Sequence, residues 1–266
     1  MRKTPSSLSS LRSSKAETRS VFQYRKLNKM ILAVVQARLS SSRLPGKVLR
    51  PLLGEPMILR QIERVRRSQR IDELVVATSI DRSDDELADF LELRGVVVRR
   101  GSLHDVLSRF ILVDKEFSPN TLVRLTGDNP LADPEVIDAV ISAHMASDAD
   151  YTSNSLTRTF PYGLDVECVC PDALRMLASW DTSPYEREHV TQGLYGRKGA
   201  FRTKNVTQES DVSSLRWSVD YPEDFTFVEK VYLELHADNP DFRQRDILDL
   251  IQRRPELRRT MADVKP

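Results

Sequence analysis

No apolar run in this chain approaches the roughly 20 residues that a membrane-spanning helix requires. Cysteine is nearly absent. The two thiols, Cys168 and Cys170, lie on alternate residues of an apolar run, which predicts one shared strand face and buried thiols. Two such ligands do not make a structural zinc site. Nothing suggests an oxidising compartment, and a cytoplasmic location is the expectation. Clustered glycines are missing as well. A dinucleotide loop needs G-x-G-x-x-G after the first strand, and a Walker A loop needs glycine at position 41 with Ser or Thr after the lysine. This chain has Ser41 and Val48 there. No internal repeat is visible.

What is present is unevenly distributed. Residues 1–29 hold eight Lys or Arg against Glu17 alone, with seven serines. That segment carries +7, so the net +1 of the whole chain leaves −6 for residues 30–266. Basic, serine-rich and poor in apolar surface, the tail is expected to be disordered, with the domain starting near Met30. It lacks the apolar centre of a signal peptide; an organellar presequence or a nucleic-acid tether stands as the alternative to a functionless extension. The mildly acidic body argues against a nucleic-acid-binding core.

From residue 31 the pattern alternates. Strands are predicted at residues 31–36, 74–78, 96–98 and 121–125. Helices are predicted at 57–67, 84–94, 103–115 and from Asp133-Pro134 to about His144. The strands are apolar on both faces, as in a parallel sheet covered by helices. After residue 150 the rhythm changes, with strands expected at 166–169 and 216–219 and helices at 172–179, 185–195, 222–236 and 243–251. Residues 150–210 read as a lobe over the sheet's ligand edge, within a domain of residues 30–254. Residues 255–266 read as a charged, frayed tail.

In an open parallel sheet, ligands bind outside the carboxyl ends of the strands. Three polar segments occupy that position. Residues 38–47, RLSSSRLPGK, put Arg38, Arg43 and Lys47 beside Gly46 and several hydroxyls, which is a donor set for a polyphosphate. The alternative is a solvated basic turn. Asp128 follows the strand at 121–125, where a Mg²⁺ ion could bridge to phosphate oxygens. Asp133 reads as a helix cap. Asp220 follows the strand expected at 216–219, and two carboxylates from separate strand ends can share one cation; capping of the Pro222 helix is its duller role. Asp148-Ala-Asp150 has the D-x-D shape of metal-dependent glycosyltransferases, but it follows a helix and reads as a loop.

Seven runs in order carry a resemblance: VVQARLSSSRLPGKVL, ELVVATS, RGSLHDVLSRF, VRLTGDNPLADPEVID, DYTSN with RTFPYGLDVE, EREHVT and WSVDYPEDF. Together the chain resembles the cytidylyltransferase family, which makes CMP-sialic acid and CMP-deoxy-manno-octulosonate. Within it the match is to the branch named after the spore coat polysaccharide biosynthesis protein SpsF. The resemblance implies a Rossmann-like α/β fold, as in nucleotide-diphospho-sugar transferases, with a mostly parallel or mixed sheet. It also implies an acceptor-binding lobe and a homodimer formed through that lobe. Arg38, Ser40, Arg43 and Lys47 match the loop around the CTP phosphates and base. Arg100, Gly101 and Ser102 match a run near the nucleotide, with Asp105 and Arg109 on the helix that follows. Thr126, Gly127 and Asp128 match the segment over ribose and metal, and Asp128 and Asp220 look like the Mg²⁺ carboxylates. Asn154, Arg158, Pro161, Gly163, Asp165, Glu167, Arg187, Glu188 and His189 match the acceptor signature. One departure stands out: the sialic acid enzymes often have Gly where this chain has Ser40 or Ser41.

The implied reaction is Mg²⁺-dependent cytidylyl transfer from CTP to an acidic sugar, releasing pyrophosphate, for surface polysaccharide or glycoconjugate synthesis. Lys47, Arg38, Asp128 and Asp220 would carry it. The rivals are a sugar phosphate or phosphonate acceptor, a glycosyltransferase that consumes a nucleotide-sugar, and a silent nucleotide-binding domain.

Overall fold

The computed structural model describes residues 30–264. The expectation for the basic tail falls on residues 1–29, outside the described residues.

Strand β1 (Ile31–Gln36) shows why the fold forms. Ile31, Ala33 and Val35 point into one apolar cluster, and Leu32 and Val34 into a second cluster on the opposite face. A strand buried on both sides has no polar alternation, and its only stable place is mid-sheet under two layers of helices. A small hairpin follows, β2 (Pro51–Leu52) and β3 (Glu55–Pro56), and leads into helix α1 (Met57–Val65). Next come β4 (Glu73–Ser79), α2 (Asp85–Leu93), β5 (Val97–Gly101), α3 (Val106–Phe117), β6 (Thr121–Thr126) and α4 (Pro134–Met145). Asp133 caps α4 as expected, accepting from Glu135 N at 2.8 Å. The later part holds β7 (Tyr151–Ser153), β8 (Glu167–Val169), α5 (Pro171–Ser179), α6 (Pro184–His189), α7 (Gln192–Gly196) and β9 (Thr203–Asn205). Helices α8 (Pro222–Leu235) and α9 (Gln244–Arg253) follow.

The seven-stranded sheet runs β5-β4-β1-β6-β8-β7-β9. β1 pairs in parallel with β4 and with β6, and β4 with β5; β8 alone runs against its neighbours. The expected mostly parallel α/β sheet is present. Chain order leaves β1 toward β4 and β5, then returns to β6 on its other side. The switch point, where such sheets open a ligand crevice, therefore lies at the carboxyl ends of β1 and β6.

Four local expectations are corrected. Residues 216–219 do not join the sheet, because β8 already occupies the free edge of β6. They run extended across its end instead, bridging Tyr162 and donating from Val219 N to Asp128 O at 2.8 Å. The helix expected over 185–195 breaks at Val190, at φ 55° and ψ −64°. Thr191 N donates to His189 O at 2.6 Å across that residue, a strained γ-turn with left-handed φ. The thiols part company: Cys168 is buried in β8 and burial pushes its thiol up, whereas Cys170 lies past the strand end as the cap of α5 and is half-buried. Finally, residues 255–264 are not frayed. They form two 3₁₀ turns, with Leu257 buried and Arg259 Nε 2.9 Å from Asp224 Oδ1.

Candidate active site

The loop after β1 is shaped by its ends. Leu39 N donates to Asp84 Oδ1 at 2.7 Å, which ties the loop to a buried carboxylate in the turn after β4. Gly46 takes φ 68°, a left-handed turn that starts the 3₁₀ turn Lys47–Leu49 and drives the Lys47 stem inward. Lys47 is consequently buried although its neighbours Arg43 and Pro45 are exposed. Its ammonium donates to Val219 O at 2.7 Å, Asp220 Oδ1 at 3.0 Å and Asp128 Oδ2 at 3.3 Å.

Asp128 arrives from the other side of β1. Gly127 extends the β1–β6 pairing by one more bond, its N donating to Gln36 O at 2.8 Å. A Cβ at Gly127 would sit 2.9 Å from Ala37 Cβ, so only glycine permits this close approach. Asp220 is set by a second layer. Arg216 Nη2 lies 2.6 Å from Asp220 Oδ2 and 3.2 Å from Asp224 Oδ2, while Asp224 Oδ2 accepts from Asp220 N at 3.0 Å. Arg43 Nη2 reaches Asp220 Oδ1 at 2.8 Å. Burial alone would push Asp220 up; the ammonium of Lys47, with Arg216 and Arg43, outweighs it and holds the carboxyl below the usual range.

These groups border a cavity of about 210 Å³ at the switch point. Arg38, Arg43, Lys47, Arg109, Thr126, Gly127, Asp128, Glu188, His189 and Asp220, all singled out from the sequence, line it together. So do Gln36, Ser41, Ser42 and Val106. Arg38 Nη2 lies 3.6 Å from Glu188 Oε1, which links the loop to the lobe.

Other sequence-predicted residues do not line the cavity. Ser40 is exposed beside it. Arg100 is turned away, with Nε on Ser79 O at 2.8 Å and Nη2 on Asp85 Oδ1 at 2.5 Å. Ser102 accepts from Asp105 N at 3.0 Å. Gly101 gives clearance: a Cβ there would lie 2.7 Å from Arg109 Cγ. Asn154 is a bracket, donating to Leu164 O at 2.8 Å and accepting from Val166 N at 2.9 Å. Gly163, at φ 111°, lets residues 162–164 pack on the Ser218 backbone. Arg158 pairs with Asp165 and covers the Tyr162 ring at 4.7 Å. Burial raises Asp165 even against that guanidinium. Arg187 pairs with Asp105, its Nε 2.8 Å from Oδ2.

Glu167 joins the two halves. One oxygen accepts from Tyr151 OH at 2.6 Å and Thr191 Oγ1 at 2.8 Å, and the other pairs with Arg124, whose Nε donates to Gln36 Oε1 at 3.2 Å. Thr191 directly follows the Val190 turn, so this line of contacts runs from the cavity floor at Gln36 to the His189 wall.

Sequence reasoning missed Arg216, Asp224 and Arg259, the second layer behind Asp220. The spacing of Arg216, Asp220 and Asp224 by four was a usable signal, hidden because residues 216–219 read as a strand.

A sequence model of the family described as Cytidylyltransferase matches residues 32–212, more than half of the chain. The spore coat polysaccharide biosynthesis protein SpsF of Bacillus subtilis is 34% identical over 236 residues, covering 85% of this chain and 95% of that protein. The mitochondrial 3-deoxy-manno-octulosonate cytidylyltransferase of Arabidopsis thaliana is 33% identical over 153 residues, covering 54% of this chain and 51% of its own. Among solved structures, a cytidylyltransferase from Leptospira borgpetersenii superposes with a TM-score of 0.82 at 28% identity, covering 86% of this chain and 97% of that one. With the two cavity carboxylates, the loop cations and the switch-point cavity all lying inside or beside the matched span, the chain belongs to the cytidylyltransferase family.

Proposed function

We propose that this enzyme transfers the cytidylyl group of CTP to an acidic sugar, releasing pyrophosphate, with Mg²⁺ held by Asp128 and Asp220. The observation that carries this reading is Lys47, whose ammonium meets both carboxylates at the cavity floor. Two carboxylate oxygens that already share one cation are a fitting donor set for a second. Among the described residues no three His, Cys, Asp or Glu side chains form a ready-made cage. The remaining ligands would then be phosphate oxygens and water, as is usual for Mg²⁺. When bound, the ion supplies charge neutralisation at the reacting phosphate.

The chain's own residues do the rest. Arg38 and Arg43, exposed on the loop, receive the triphosphate as bidentate donors, and Lys47 exchanges carboxylate oxygens for phosphate oxygens. An acceptor oxygen attacks the α-phosphorus in line, the new O–P bond forming as the bond to the β-phosphate oxygen breaks. Positioning and electrostatics supply most of the rate. Asp220, held ionised by three cations, is a weak base. His189, on the lobe wall of the same cavity, is placed to contact the acceptor. Arg158, stacked on Tyr162, supports an anionic acceptor. Such a reaction draws on the cytoplasmic CTP pool. Tyr185 and Tyr195, exposed on the lobe helices, offer the surface a second copy would cover in a homodimer.

Pyrophosphate release, measured while crossing four nucleoside triphosphates with acid sugars, sugar phosphates and phosphonates, tests the reading. CTP with an acid sugar is expected to give product only when Mg²⁺ is present. Release of a nucleoside diphosphate from a nucleotide-sugar would mark a glycosyltransferase instead.

A further inference from the structure

Arg109 is a buried cation that the reaction above does not use. It sits on α3 with 3% of its surface exposed and lines the cavity. Among the described residues it has no ion-pair partner. Its Nη1 donates to Ala77 O at 3.2 Å, while its Nε is buried and unpartnered. Leaving an arginine in this state is costly unless a ligand completes it. Desolvation lowers its pKa to about 10, with Asp84 and Asp105 pulling the other way and Arg38 adding to the fall.

The position of this orphan edge is informative. Ala77 O also accepts from Ala37 N at 3.2 Å, so Arg109 stands on the β4 side of β1. Asp128 stands on the β6 side. The strands they flank, β4 and β6, are two strand spacings apart, about 10 Å, a span suited to a nucleoside whose α-phosphate lies at Asp128. Val106 and Ala37 give this end apolar walls for a flat ring. Gly101 keeps the Arg109 stem in its course, since any Cβ there would strike it. Arg100, at the end of neighbouring β5, is already bonded to Ser79 O and Asp85.

We propose that Arg109 reads the base of the bound nucleotide, donating from Nε and Nη2 to the adjacent O2 and N3 acceptors of cytosine. The inference rests on the reading that a nucleotide fills this cavity. Nε–H and Nη2–H form the parallel fork that suits two neighbouring acceptors. Uracil offers N3–H in place of the second acceptor, so the fork meets a donor and a bond is lost. Lysine keeps the charge but has no fork.

Calorimetric binding of CTP, UTP and inorganic tripolyphosphate to the full-length protein and to Arg109→Lys tests this without any acceptor. Wild type is expected to prefer CTP over UTP by about tenfold or more, the scale of a buried donor left unpaired. R109K is expected to weaken CTP by about tenfold, to bring CTP and UTP within a few-fold of each other, and to leave tripolyphosphate unchanged. A retained CTP preference in R109K overturns the proposal. Equal weakening of tripolyphosphate overturns it too, by assigning Arg109 to a phosphate. Should R109K fail to fold, Gly101→Ala displaces the same stem and must shift the same ratio. Wild type that binds no CTP defeats the functional reading, not the role of Arg109 within it.

Discussion

Lys47 Nζ stands 3.0 Å from Asp220 Oδ1, deep under a loop whose other cations face solvent. The same ammonium reaches Asp128, so one buried lysine compensates carboxylates from two segments far apart in the chain. The two aspartates are nevertheless held very differently, and substitution separates them.

Asp128 is partly exposed, with 27% of its side chain open, and its contact with Lys47 is the longer at 3.3 Å. Asp128→Asn is expected to cost about 3–5 kcal/mol of transition-state stabilisation with little change in melting temperature. Turnover with saturating CTP and Mg²⁺ measures the first and calorimetry the second. Undiminished turnover would sink the assignment.

Asp220 is the hub for Lys47, Arg43 and Arg216, and its side chain is 8% exposed. Asp220→Asn removes the counter-charge that Lys47 and Arg216 share in a buried setting, leaving them only Asp128 and Asp224, so it is expected to lose about 2–4 kcal/mol of stability as well as activity. Urea unfolding of both variants gives the comparison, with D220N the less stable. An equal loss in D128N contradicts the second-layer account.

Stability should also fall on mild acidification through His144. The ring is buried, its Nδ1 3.0 Å from Thr152 Oγ1, and burial lowers its pKa below 6.5 despite Asp150. Below pH 6.5 the unfolded chain binds a proton that the folded chain refuses. Stability is therefore full above that pH and declines until the lower folded pKa is passed. Removing the ring in His144→Gln flattens the slope of unfolding free energy between pH 7 and 5; an unchanged slope assigns it to other groups.

Thr191→Val removes one hydrogen bond to Glu167 next to the strained Val190 turn. His189 is expected to shift while the nucleotide floor stays in place. KM for the acceptor should rise about three- to tenfold, on the scale of one hydrogen bond, with KM for CTP unchanged. Equal changes in both constants would argue for general loosening.

The sequence disclosed the elements that rest on periodicity. Double-faced apolar strands such as Ile31–Gln36 and capped helices such as the one after Asp133 need only local chemistry. Arg38, Arg43, Lys47 and Asp128 were legible because strand ends collect ligands in such sheets, whereas Asp220 was singled out from a strand that the fold does not form. The short strands Tyr151–Ser153 and Thr203–Asn205 were not, since three residues cannot display a period. Partner choice was hidden for a related reason. Nothing in RGS tells that Arg100 turns to Asp85, or that Gly101 serves the Arg109 stem; those facts depend on segments brought together only by folding.

Glu167 has a consequence for anyone exchanging parts between relatives. Its carboxylate is the counter-charge of Arg124 on β6 and accepts from the hydroxyls of Tyr151 and Thr191, and Arg124 in turn holds Gln36. A chimera cut at residue 150 would carry the acid and two of its donors in one parent and the guanidinium in the other. Residues 150–210 are thus no interchangeable cartridge. A graft that alters acceptor choice must bring the matching residue at position 124 with it, or leave a buried carboxylate without its cation.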